Sequence, residues 1–89
     1  MTFGEQLRRK RGEVSLRQIA HSARISPAYL SDIELGRRLP SEAVTLRLAR
    51  ALGMNESALL TWVIDQRVAD MHAKVDKLRA TTRGRKERK

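Results

Sequence analysis

The sequence predicts an all-α fold: one small helical domain followed by an extended helix. Three observations predict it. Apolar residues recur three and four apart, Ser and Asn residues able to cap helices stand before those runs, and residues 56–83 contain neither Gly nor Pro. At 89 residues the chain has room for one core, of about 60 residues, plus an appendage.

Phe3 and Leu7 lie four apart and Arg8, Arg9, Lys10 and Arg11 follow, which predicts a first helix over 3–11 with a basic last turn suited to its dipole. Gly12 ends it. Ser15 and Gln18 have the S-x-x-Q form of a capping box, so a second helix should start at Leu16, with Leu16, Ile19, Ala20 and Ala23 in helical spacing. Ser26 before Pro27 is the next start signal, a cap with proline at the first helical position, and a third helix is expected from Pro27 to about Glu34. Two or three residues separate these helices, so they must cross steeply, as in a helix-turn-helix. Leu30 and Ile33 should face inward and leave Ala28, Tyr29, Ser31 and Asp32 nearer the open side.

Gly36 closes the third helix, and Arg37-Arg38-Leu39-Pro40 forms a basic loop before Ser41, the cap of a fourth. That helix carries Thr45, Leu48, Ala49 and Leu52 on one stripe and stops at Gly53. Asn55 can cap a fifth. Roughly 25 residues from Glu56 to Ala80 would extend about 37 Å, more than a compact domain requires.

On that last helix Ile64, Val68, Met71, Val75 and Leu78 step by 4, 3, 4 and 3, the spacing of a coiled-coil seam. A straight continuation carries the stripe off the domain, so a second surface must cover it unless the helix folds back. With Val68 and Val75 at a and Met71 and Leu78 at d, a parallel pair would oppose Arg67 to His72 and Lys74 to Arg79, neither complementary. An antiparallel or crossed homodimer, or a different protein, is expected on this stripe, joined by Leu60 and Trp62. Thr81 to Lys89 is polar and basic and is expected to be a flexible tail, attracted to phosphate or simply solubilising.

The chain holds 19 Lys+Arg against 10 Asp+Glu, a formal charge of +9. Residues 1–38 carry 8 basic and 4 acidic groups, residues 39–80 carry 6 and 5, and residues 81–89 carry 5 and 1, so both ends hold the excess. A polyanionic partner is the first explanation, solvated surface charge the alternative. With no Cys there is neither a disulfide framework nor a thiolate metal site. No apolar run opens the chain or reaches the ~20 residues of a membrane span, so a cytoplasmic location without a membrane partner is expected. His72 has no Cys or second His nearby, and His21 reads as a surface residue, so no metal and no cofactor are expected. No nucleophile, base and orienting group recur at a recognisable spacing, and no phosphate loop or dinucleotide fingerprint occurs, which argues against an enzyme.

The segments SLRQIA, ISPAYLSDIELGRRLPS and LRLARALGMNESALL, in this order and spacing, resemble the Cro and lambda-repressor-like, or XRE-type, helix-turn-helix family of phage and bacterial transcription regulators. The resemblance covers residues 3 to about 60. It implies a five-helix lambda-repressor-like DNA-binding domain (1–63), leaving 64–80 as a helical extension for a dimer or partner and 81–89 as the basic tail. It also implies double-stranded DNA as partner, two-fold symmetric operators bound by dimers, and the third helix in the major groove. On that basis Pro27, Ala28 and Asp32 fall at base-reading positions, with Tyr29 and Ser31 beside them. Pro27 and Ala28 suit a thymine methyl and Asp32 can only accept, as from cytosine N4.

Arg17 and Tyr29 are then polar readers or phosphate contacts, Arg37 and Arg38 suit flanking phosphates, and helix 3 presents backbone N–H groups at Ser26. The alternatives are a half-buried packing role for Tyr29, a solvated Asp32 repelled by phosphate, and a solvated loop at Arg37 and Arg38. Three positions depart from the family pattern. Leu16 stands where many members carry Gln at the start of helix 2, Arg24 occupies a turn position commonly Gly, and the link between helices 1 and 2 is short. The family's buried Arg–Glu bridge would be Glu34 with Arg11, with Arg8 competing. The expected function is a sequence-specific, dimeric transcriptional repressor on the bacterial or phage nucleoid. An antitoxin or adaptor that binds a protein through the long helix while docking on DNA is the alternative.

Overall fold

Five side chains start five helices. Thr2 accepts from the Glu5 N–H at 3.2 Å, Ser15 from Gln18 at 3.1 Å, Ser26 from Tyr29 at 3.1 Å, Ser41 from Val44 at 3.2 Å and Asn55 from Ala58 at 3.1 Å. Each satisfies one of the donors that a helix start leaves orphaned. The resulting helices are α1 (Phe3–Arg11), α2 (Leu16–Ser22), α3 (Pro27–Glu34), α4 (Glu42–Leu52) and α5 (Glu56–Glu87). The computed structural model describes residues 1–87, with side chains through Ala80, and every helix or strand among them is one of these helices.

The reciprocal capping box lies at α1, where Glu5 accepts from both the backbone N–H and the hydroxyl of Thr2. The box expected at Ser15 is only half formed. Gln18 there meets the Ser15 hydroxyl at 3.4 Å instead of its backbone N–H.

Leu7, Ile19, Leu30, Ile33, Leu48 and Leu59 meet in one core that draws on every helix. Full burial of a side chain of this size contributes roughly 1.5–3 kcal/mol. α2 packs on α3 and α4, α1 on α3 and α5, and α4 on α5. α1 approaches the end of α3 so closely that a Cβ on Gly4 would lie 2.7 Å from the Ile33 carbonyl oxygen and closer still to that of Glu34. Beside this contact Arg11 donates from Nε and Nη2 to both Glu34 oxygens, at 2.8 and 3.0 Å, and from Nη1 to the Val14 carbonyl at 2.8 Å. Arg11, not Arg8, is thus the partner of Glu34, and that hydrogen bonding raises the guanidinium pKa above its ordinary value.

The base of α5 is tied down by the Phe3 N–H donating to Gln66 at 2.9 Å and by Arg67 donating to the Pro40 carbonyl at 3.4 Å. Beyond these bonds the helix leaves the domain, which makes the molecule 57 Å long and 21–24 Å across. It runs on to Glu87, into the segment expected as a basic tail; the side chains of 81–87 and all of residues 88–89 lie outside the described residues.

Candidate nucleic-acid interface

α2 ends in a Schellman-type turn: the Ile25 N–H reaches the Ala20 carbonyl at 3.0 Å and the Arg24 N–H that of His21 at 3.1 Å. Arg24 takes the left-handed position with φ 58°, the conformation its place in the turn demanded. α3 closes the same way, with Arg37 bonded to the Asp32 carbonyl at 2.9 Å, but there Gly36 holds the positive φ of 80°. The two turns are built alike, and the one between α2 and α3 carries about 1–2 kcal/mol of backbone strain that the other avoids. Support comes from below: Arg47 on α4 donates to the Ala23 carbonyl at 2.8 Å and ties the end of α2 in place.

This turn sets the start of α3 outward. Ser26, Pro27 and Ala28 are exposed, while Tyr29, Ser31 and Asp32 are half-buried, and Leu30 and Ile33 anchor the opposite face with no exposure. Tyr29 packs against the core and keeps part of its surface accessible. Leu16, where many relatives of the resembled family carry an amide, also packs against the core. Arg17 is exposed on the first turn of α2, and Arg38 is exposed in the loop after α3.

Arg37 is exposed as well, but its Nη1 lies 3.4 Å from Asp32 Oδ1. At that distance and exposure the pair contributes little stability. Its effect is electrostatic and local: the carboxylate that would repel a phosphate has a guanidinium beside it. The open surface therefore combines apolar groups at Pro27 and Ala28, hydroxyls at Tyr29 and Ser31, one acceptor at Asp32 and basic groups on both flanks. Such a surface can touch thymine methyls, accept from cytosine N4 and bond phosphate oxygens.

Arg47 acts on this surface by holding its turn, and Arg24 by adopting the left-handed conformation that the turn requires. Arg24 has a sequence signal in its glycine-like position, whereas nothing in the pattern of α4 marks Arg47. The other predicted face lies apart: Ile64, Val68, Met71, Val75 and Leu78 are 38–60% exposed along α5, and Leu60 is half-buried at its base. Trp62, also expected on this stripe, is half-buried: it packs against the core and lies beside Gln6, Arg9 and Lys10 of α1. Among the described residues no group of His, Asp or Glu side chains could hold a metal ion, and no helix is long and apolar enough to cross a membrane.

Residues 2–62 match the family described as "Helix-turn-helix domain". The immunity repressor protein of Bacillus phage phi105 is 33% identical over 81 residues, 86% of this chain and 56% of the repressor. The chain thus spans little more than half the length of that relative. The crystal structure of the clp gene regulator ClgR from Corynebacterium glutamicum is similar with a TM-score of 0.61 and 32% identity, over 88% of this chain and 84% of that one.

Proposed function

The chain belongs to the helix-turn-helix domain family, and from that membership and the geometry of α3 we propose that it is a DNA-binding transcriptional regulator acting as a repressor. The observation that carries the reading is the start of α3, capped by Ser26, set outward by the Arg24 turn and held from below by Leu30 and Ile33. An eight-residue helix so presented fits the major groove, with Pro27, Ala28 and Asp32 toward base edges, Tyr29 and Ser31 beside them, and Arg17, Arg37 and Arg38 toward phosphates. The names of the phage immunity repressor and the clp gene regulator support regulation as the role. Acting on DNA would place the chain at the nucleoid.

The exposed stripe on α5 supports a homodimer, one α3 per half-site. A second reading, favoured by the same stripe, gives it to a different protein, as in an antitoxin or an adaptor docked on DNA.

Selection of bound sequences from random double-stranded DNA at physiological salt tests the proposal. It should enrich a two-fold symmetric site with half-site centres about 34–36 Å apart or a multiple of that. Enrichment of no sequence would leave only non-specific, charge-driven binding. Affinity for the selected site should fall steeply with salt, and deleting residues 81–89 should flatten that slope if the tail meets phosphates.

A further inference from the structure

The α5 stripe is an apolar surface most of which extends beyond the bonds that tie the helix to its domain. Residues 64–80 carry four basic and three acidic side chains, so the surface is nearly neutral and of mixed sign. A basic amphipathic helix would suit an anionic membrane; this one suits another helix.

Heptad geometry restricts how a second copy of α5 can cover the stripe. Parallel pairing sets Arg67 against His72 and Lys74 against Arg79 and gains no opposite charges. Antiparallel pairing places a positions against d positions, and two registers oppose four apolar pairs along 64–78. The first joins Ile64 to Val75 and Val68 to Met71, and brings Arg67 against Lys74 on both sides of the axis. The second joins Val68 to Leu78 and Met71 to Val75. It brings Asp65 alongside Arg79 on both sides, and its like-charged encounter is Lys74 with its own mate.

We infer that two copies of this chain pair through α5 in antiparallel orientation, in the register that sets Met71 against Val75 and Asp65 beside Arg79 of the second copy. The inference rests on the reading of the chain as a paired DNA-binding protein and gives that pair its geometry. The two Val63 residues, where each helix is last buried against its own domain, then lie roughly 20 residues apart along the shared axis. At ~1.5 Å per residue this sets about 30 Å between the points where the two helices leave their domains.

The chain has no Cys, so introduced thiols report the register directly. Met71→Cys and Val75→Cys variants of the full chain, mixed in equal amounts and oxidised, should form a disulfide between positions 71 and 75 in preference to either symmetric one. A symmetric disulfide at position 71 would overturn the proposal in favour of parallel pairing. A bond from mixed Val68→Cys and Met71→Cys would overturn it in favour of the other register, and a monomeric mass by light scattering would overturn it altogether. Charge exchange gives a second reading at exposed positions that leave the core intact. Asp65→Arg should weaken the dimer about tenfold, and Asp65→Arg with Arg79→Asp should restore it; failure to restore contradicts the register. Affinity for an isolated half-site, measured on the same variants, separates the two levels. If it persists while cross-linking fails, the pairing alone is wrong; if it is absent throughout, the DNA-binding reading is wrong as well.

Discussion

Residues 3–63 and the extension that follows are both helical, yet they are helical for different reasons. In the domain, helices of seven to eleven residues hold together because each buries an apolar stripe against the others, and alone they would be too short to persist. In the extension beyond Arg67 every described side chain of α5, from Val68 to Ala80, is exposed, its apolar stripe included. Tertiary packing completes the first region and leaves the second unfinished. A surface left unfinished in a monomer points to what a second molecule supplies.

The sharpest way to break this contrast is to truncate one apolar residue in each region. Leu30→Ala empties a fully buried position and should cost about 2–5 kcal/mol of stability in denaturant unfolding. Val68→Ala should leave the unfolding of dilute protein within about 0.5 kcal/mol and change only its self-association. Next in size, Glu34→Ala strands Arg11 in a largely buried pair and should cost about 2–4 kcal/mol, measured the same way.

Arg24→Gly tests the strained turn, and its sign is opposite. Relieving a positive φ should stabilise the domain by about 1 kcal/mol. If DNA affinity falls and its salt slope flattens at the same time, the guanidinium contacts phosphate. The smallest effect belongs to Glu5. Its carboxyl is held below the usual carboxylate range by the Thr2 N–H and then the Thr2 hydroxyl. A depressed folded-state value means that this cap stabilises above the ordinary carboxylate pKa and is lost as pH falls through the depressed one. Amide exchange near Thr2 and Glu5 should accelerate over that acidic window before the core loosens.

Helix boundaries were legible because short polar side chains at 15, 26, 41 and 55 and glycines at 12 and 53 act on their immediate neighbours. The Arg11–Glu34 bridge was legible only through family resemblance, which put Arg11 first and left Arg8 as its competitor. The bonds of Arg47 to Ala23, Gln66 to Phe3 and Arg67 to Pro40 carried no signal, because each joins residues 24 to 63 positions apart. Trp62 illustrates the same limit: heptad counting said little of which neighbour would reach it first. For α3, the sequence located the open face, whereas the pairing of Asp32 with Arg37 depends on how the chain turns at Gly36.

The claim that α3 reads base edges is tested most directly at Ala28, an exposed residue whose enlargement need not disturb the core. Sequence selection repeated with Ala28→Gln should change the preferred base at one position in each half-site and leave the half-site spacing as it was. A bidentate amide discriminates between bases by about 1–3 kcal/mol, enough to shift the preference clearly. An unchanged preference at every position would contradict the placement of α3 in the major groove.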